Sequence, residues 1–326
     1  MTPARRRAGL ALGTAAALAG AAAAAAHVWA RHIEIHRYTL RTETAPVLPP
    51  GSAPLRLLHI SDIHLMPDDA RKLAFLRELG RLDPDLVVDT GDNISSPASV
   101  PAVLHALDPL LRRPGAFVLG SNDLFAPHRK NPLRYFLPDP RHEGFTDADR
   151  ARSLPTDDLV RGLTAKGWRD LTNARAVDEV GGVRIRWVGV DDPHLERDEM
   201  PAPDGYGADA TGSSATGPDA SDSDASAPEL RIGVAHAPYR RVLDAMVGDG
   251  CDLVLAGHTH GGQLRVPGVG ALVTNCDLPR RQARGLSAWA GVPLHVSGGM
   301  GASPYSNYRF ANPPEATLLT LVARDR

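Results

Sequence analysis

Cysteine is almost absent from this chain of 326 residues: Cys251 and Cys276 are the only two, and they form no CxxC pair. Neither a disulfide framework nor a thiolate zinc site is indicated. Net charge is lacking as well, at −2 by formal count. Nucleic-acid binding normally needs a basic face, so no nucleic acid is expected as a partner, and any phosphate must be held by local chemistry. No internal repeat is present, which leaves no ground for a repeat array.

With 43% hydrophobic and 23% charged residues, the chain can bury a sizeable core, and one large domain is expected. Ala8 to Ala30 contain no Asp, Glu, Lys or Arg and follow Arg5-Arg6-Arg7. That layout assigns residues 1–30 to a signal peptide or a transmembrane anchor. The run is just long enough for a hydrocarbon core of about 30 Å, although alanine is only weakly apolar. Arginines ahead of it place the remainder outside the cytoplasm, at the cell membrane, or secreted if the segment is cleaved. Residues 31–54, rich in Pro and small residues from Thr42 onward, read as a linker.

From Leu55 the chain reads LRLLHISD, then leucines at helical spacing (73, 76, 79, 82), then DLVVDTGD, a second helical stretch through Val103, Leu107 and Leu110, and GAFVLGSND. This is β-α-β-α-β. RIRWVGVDD, LRIGVAHAP, CDLVLAGHTHGG, PLHVSGGMG and ATLLTLVA add strand candidates, so an α/β domain with helix-covered sheets is expected over 55–326. Between Met200 and Glu229 lies a stretch with five Asp and no Lys or Arg, with almost nothing to bury. Residues 201–228 are expected to form a disordered insertion. Its aspartates lack the D-x-[DN]-x-[DN]-G spacing of a calcium loop.

Metal-ligand side-chain types recur where the strand candidates end: Asp62 and His64 in ISDIH, Asp92 in TGDN, Asn122 and Asp123 in GSND, His236 in VAHAP, His258 and His260 in AGHTHGG. In an open α/β sheet those ends converge on one crevice, where such folds bind ligands. Carboxylates, imidazoles and an amide suit Zn, Mn or Fe better than the all-oxygen sets of Ca or Mg. Taken singly, most of these pieces are ordinary: Asp-x-His is a common capped turn, Gly-Asp a common turn pair. A lone His236 would more often be structural. GHTHGG differs, because two imidazoles two residues apart, flanked by glycines that admit close backbone approach, have little structural purpose. His59 and His295, inside apolar runs, read as packed, hydrogen-bonded core residues. Trp168 and Trp187 read as core filling, and Arg309 as a surface residue.

Taken in order, DIH, GDN, GSND, the His of VAHAP and GHTHGGQ resemble the blocks of the calcineurin-like metallophosphoesterases, from about Leu55 to the C-terminus without the insertion. GHTHGGQ at 257–263 and NPPE at 312–315 are most similar to its membrane-associated bacterial phosphodiesterase branch. The resemblance implies a β-sandwich flanked by helices, with metal ligands at strand C-terminal ends. It also implies one cation on Asp62, His64 and His260, a second on His236, His258 and an Asn, and Asp92 bridging them. Two divalent ions, Mn, Zn or Fe, would lower the pKa of a bridging water and neutralise phosphate charge. They would be the largest local positive charges, which removes the need for a basic patch.

One departure stands out. Where the family has Gly-Asn-His-Asp or Gly-Asn-His-Glu, this chain has Gly120-Ser121-Asn122-Asp123. In strict register Ser121 takes the ligand position and Asn122 that of the histidine; with a one-residue slip Asn122 is the ligand and Asp123 replaces the histidine. An amide oxygen is a better ligand than a neutral hydroxyl, which favours Asn122. Asp92, Asn122 and Asp123 are therefore the candidate catalytic residues. Either way the usual general acid is absent, a loss worth about 10²- to 10⁴-fold for a poor leaving group. Phosphodiesters or pyrophosphates with acidic leaving groups are expected, unless Asp123, His128 or His194 supplies the proton. The expectation is thus a monomeric hydrolase of a phosphorylated small molecule or lipid, membrane-associated through its N-terminal segment. The alternative is a catalytically weakened metal-containing protein that binds phosphorylated lipid or sugar.

Overall fold

Alternating side-chain directions along each strand organise the computed structural model, which describes residues 3–128, 152–203 and 228–324. Six helices are described: α1 (Pro3–Val28), α2 (Ala70–Leu79), α3 (Val100–Leu107), α4 (Ser121–Leu124), α5 (Thr156–Thr164) and α6 (Arg240–Gly248). The first sheet holds β1 (Thr39–Leu48), β2 (Leu55–Ile60), β3 (Leu86–Asp89), β4 (Gly115–Phe117), β5 (Arg169–Asp170) and β14 (Glu315–Ala323), in the order β1-β14-β2-β3-β4-β5. The second holds β6 (Arg175–Val180), β7 (Val183–Gly189), β8 (Glu229–Ala235), β9 (Leu253–Ala256), β12 (Gly285–Trp289) and β13 (Val292–Val296), in the order β12-β13-β9-β8-β7-β6. A short hairpin, β10 (Arg265–Val266) with β11 (Gly270–Ala271), stands apart. Strands β2, β3, β4 and β5 run parallel, as do β13, β9, β8 and β7.

Adjacent residues on one strand serve different layers. Leu57, Val88 and Leu319 of the first sheet pack against Ile185, Ile232 and Leu255 of the second. Leu58, Ile60, Val87 and Phe117 point the other way, onto Leu76, Val103 and Leu159 of the helices. Val254, Leu294 and Val296 meet Val242, Leu243 and Met246 of α6. The result is the expected α/β fold, two sheets face to face with helices outside. Trp168 and Trp187 are buried.

Three boundaries differ from expectation. Residues 39–48, read as part of a linker, form β1, hydrogen-bonded along β14 with Ala45, Val47 and Leu48 buried. The chain ahead of β1 is docked too: buried Glu34 accepts from the backbone N–H of Asn312, and Arg309 N–H donates to Ala30 O. Among the described residues, no helix is long and apolar enough to cross a membrane. Of the expected insertion, residues 204–227 lie outside the described residues, while its first residues Pro201 and Ala202 accept hydrogen bonds from Arg175.

Candidate metal centre

Every predicted ligand sits just past the C-terminal end of a strand: Asp62 and His64 after β2, Asp92 after β3, Asn122 after β4, His236 after β8, His258 and His260 after β9. The loops that carry them are tightly wound. Asp62, His64, Asp92, His258 and His260 all have left-handed backbone, with φ of 49°, 44°, 59°, 67° and 49°. Such conformations cost non-glycine residues about 1–2 kcal/mol each and persist where surrounding structure over-determines them, which is common at functional sites. Close backbone packing helps to hold them: Asp62 N–H donates to Gly91 O at 2.8 Å and His64 N–H to Asp92 O at 2.9 Å. Gly120 is required for space, because a Cβ there would press on Asp92 Oδ1 and lie 2.7 Å from His236 Cε1.

The side chains converge. Asp92 Oδ2 lies 3.3 Å from His64 Nε2 and 3.6 Å from His236 Nε2. His260 Nε2 is 3.3 Å from His64 Nε2 and 3.7 Å from Asp62 Oδ1. Two sets, Asp62-His64-His260 and Asp62-Asp92-His236, each bring their ligand atoms within 4.8 Å of one another. The rings are held by their other nitrogens: Nδ1–H of His236 donates to Thr90 O at 2.7 Å, and that of His260 to Gly301 O at 3.0 Å. Each therefore turns Nε2 inward, the orientation a metal ligand needs once the cation displaces any proton from that nitrogen. Asn312 Nδ2 fixes the backbone of His260 by donating to its carbonyl at 2.6 Å.

Electrostatics follow from burial. Burial pushes the His64 pKa down to about 3, and it also lowers that of His260. Burial opposes ionisation of Asp92, but His236, His64 and two Asn122 hydrogen bonds hold its carboxyl below the usual range. For His236 burial is outweighed by Asp92, Asp192 and Asp62, which lift it to about 9. A cation at Asp92 would reverse that last shift, since it competes for the same lone pair.

The sequence-predicted residues do not all behave alike. His258 is outside both clustered sets; its Nε2 faces Asn275 O at 3.1 Å, so the expected ligand role could fall only to Nδ1. Asn122 lies at the centre, but donates to Asp92 through its backbone N–H at 2.7 Å and its side-chain amide at 2.8 Å. Asp123 is fully buried, with its carboxylate accepting the N–H groups of Asp92, Asn93 and Gly120. It thus shapes the loop and presents nothing to a substrate, which corrects its assignment as a replacement acid. His128 is exposed and bonded to Arg152. His194 is nearer, its ring centroid 4.6 Å from that of His258. Arg309, read as a surface residue, is 1% exposed, donating to Gly298 O and Gly301 O behind His260. Its partners are backbone carbonyls of a glycine-rich loop, which leave no trace in a sequence. Asp192 was missed although it follows β7 as the other acids follow their strands. It is fully buried, its Oδ2 has no hydrogen-bond partner, and burial raises its pKa to about 7.

These residues suit a divalent cation. His236 Nε2 is buried without a hydrogen-bond partner, a cost that a bound cation removes. Two nitrogens bound at about 2.0–2.1 Å to one tetrahedral ion stand about 3.3 Å apart, which matches His64 and His260. A two-sheet sandwich with His and Asp gathered at its strand ends is the architecture of a metallohydrolase. The chain belongs to the calcineurin-like phosphoesterase family, whose model matches residues 55–262. It is 37% identical over 92 residues to phosphodiesterase YaeI of Escherichia coli (strain K12), a match over 28% of this chain and 32% of that protein. Among solved structures, TT1561 of Thermus thermophilus is similar over 76% of this chain and 91% of its own, with 13% identity and a TM-score of 0.39. Purple acid phosphatase PPD1 of yellow lupin is similar over 81% of this chain and 46% of its own, with 13% identity and a TM-score of 0.40.

Proposed function

We propose that the chain hydrolyses phosphodiesters or pyrophosphates at a centre holding two divalent ions. The observation that carries this reading is the convergence of His64, His260, His236, Asp62 and Asp92 with their ligand atoms inward and His236 Nε2 buried without a partner. The position of Asp92 Oδ2, 3.3 Å from His64 Nε2 and 3.6 Å from His236 Nε2, supports a bridging role for it in this reading. His258 through Nδ1, and Asn122 after an exchange of its amide nitrogen and oxygen, complete the second ligand set. Bound divalent ions supply a nucleophilic water at neutral pH and neutralise phosphate oxygens. The protein's own residues orient the ligands, exclude bulk water from them and keep Asp92 ionised.

Among the described residues, Asn122 in the place of the usual acid donates to Asp92, Asp123 is buried, and His194 beside His258 is the remaining candidate proton donor. Without a proton from His194 the leaving group departs with little protein assistance, which favours acidic leaving groups. The similarity to a protein named as a phosphodiesterase supports the diester reading. Arg5-Arg6-Arg7 before an uncharged run supports export of the domain, with a phosphorylated small molecule or lipid as substrate. The second reading, a weakened phosphate-binding protein, is favoured by Asn122 capping Asp92 rather than presenting an acid.

Ranking rates on p-nitrophenyl and alkyl phosphodiesters tests the proposal. A steep loss with the alkyl leaving group is expected, and equal rates would contradict it. Retention of two ions per chain without turnover of either ester would favour the binding protein.

A further inference from the structure

A buried polar chain crosses the sandwich beneath the metal centre and supplies none of its ligands. His59 alternates with Leu58 and Ile60, which face the helices, and His295 lies between Leu294 and Val296, which pack toward α6. Both histidines therefore point between the sheets, where their rings meet Nδ1 to Nδ1 at 2.8 Å. His59 Nε2 is 3.0 Å from Thr90 Oγ1, Thr90 Oγ1 is 2.7 Å from Ser61 Oγ, and Ser61 Oγ is 2.6 Å from Asp62 Oδ2. His59, Ser61, Asp62, Thr90 and His295 are each 0% exposed.

Proton counting fixes the direction. An ionised Asp62 only accepts, so Ser61 spends its one hydroxyl proton on it, Thr90 donates to Ser61, and His59 Nε2–H must donate to Thr90. A neutral His59 then has a bare Nδ1, which accepts from Nδ1–H of His295. That leaves His295 Nε2 bare, and it has no hydrogen-bond partner, with Glu43 Oε2 at 3.6 Å. Burial keeps both rings neutral, moving His59 to about 3 and His295 well below its ordinary value. Of the strand neighbours of the two histidines, Val88, Leu255 and Leu286 are apolar and Thr317, beside His59, is a buried hydroxyl with no hydrogen-bond partner. Two imidazoles in such a layer are costly unless their hydrogen bonds are used.

We infer that His59 and His295 are positioning residues for the metal centre: with Thr90 and Ser61 they form a one-way chain of donors that orients Asp62. His258 N–H is shared between Oδ2 at 3.0 Å and Oδ1 at 3.2 Å, so Ser61 makes the difference between the two oxygens: it engages Oδ2, while Oδ1 stands toward His260 Nε2 at 3.7 Å. The chain thus decides which carboxylate oxygen meets the cation. This inference rests on the metal-centre reading above.

The test compares Thr90→Val, which removes the hydroxyl at nearly constant volume, with Thr90→Ser, which keeps it, by titrating Mn²⁺ into the metal-stripped full chain against a chromogenic chelator. Support around a ligand is worth about 10- to 100-fold in metal affinity, so Thr90→Val should lose that much and Thr90→Ser should recover most of it. In the double variant, His295→Leu should add nothing to the loss from Thr90→Val, because the chain is already broken. Equal affinities for the Val and Ser variants, or multiplying losses, would overturn the inference. ¹⁵N NMR of the unsubstituted protein is independent of variant folding: it should show His59 protonated at Nε2 and His295 at Nδ1, and the opposite tautomers would overturn the chain. If the unsubstituted protein binds no Mn²⁺, the metal-centre reading itself fails, an outcome distinct from unchanged binding in Thr90→Val.

Discussion

Asp62, His64, Asp92, His258 and His260 hold backbone conformations that glycine would adopt more easily. Stability alone would favour glycine at these positions, so the side chains are retained for what they do. Asp92→Gly and Asp92→Ala both remove the carboxylate, yet only the glycine relieves φ of 59°. Asp92→Gly should unfold at higher denaturant than Asp92→Ala, by about 1 kcal/mol; equal midpoints would show that the loop is unstrained. Gly120 makes the converse case. Its added Cβ would press on the side chains of Asp92 and His236 and on the Asp92 backbone N. Gly120→Ala should keep its circular dichroism and lose about 10-fold or more in metal affinity, as read by the same chelator titration.

At the scale of elements, β1 decides where the folded unit begins. It is the edge strand beside β14, and its register slips between Pro46 and Leu48. Leu48→Ala should cost about 2–5 kcal/mol, as for a buried core leucine, measured by urea unfolding; a linker would show no change. A fragment starting at residue 55 should aggregate, because it exposes the edge of β14. The same strand shows what a sequence conceals. Proline is tolerated at edges and bulges, so TETAPVLPPGSAP carries the composition of a linker while part of it is a strand. By contrast β2, β3, β8 and β9 were legible, since buried parallel strands read as continuous apolar runs. The acids and imidazoles that end them were legible for the same reason. His258 and Asn122 were legible as neighbours of the site but not in their hydrogen bonds, which depend on Asn275 and on the turn around Asp92. Asp123 was misread because its partners are backbone amides, which any sequence supplies.

Across the whole molecule, neutral buried histidines tie stability to pH. His59 and His64 titrate near 6.5 when unfolded, but burial depresses both to about 3 in the folded chain. Between those values only the unfolded state takes up protons on them. Stability from this source is intact above about 6.5 and falls as pH drops, by up to about 1.4 kcal/mol per unit for each histidine. Asp192 and His236, whose pKa values are raised in the folded chain, act in the opposite sense, so the part of His59 is read by difference. Lowering the pH from 7.5 to 5 should shift the urea midpoint of the metal-free protein downward by less, or upward by more, in His59→Gln than in the unsubstituted chain. An identical pH dependence in the two proteins would mean that the His59 ring is charged or solvated. Cation binding should weaken as pH falls below about 9, because a proton competes with the metal for His236 Nε2.

The central claim is that Asp92 and the converging imidazoles make a metal-dependent phosphoesterase. The most direct test is hydrolysis of bis-p-nitrophenyl phosphate by the purified chain, stripped of metal and then titrated with Mn²⁺, Zn²⁺ or Fe²⁺, beside Asp92→Ala. Loss of turnover on stripping, its return with metal, and a fall of about 10³-fold or more in the variant are predicted, because metal-ion stabilisation of the transition state is worth several kcal/mol. Turnover that survives both stripping and the Asp92 substitution would contradict the account.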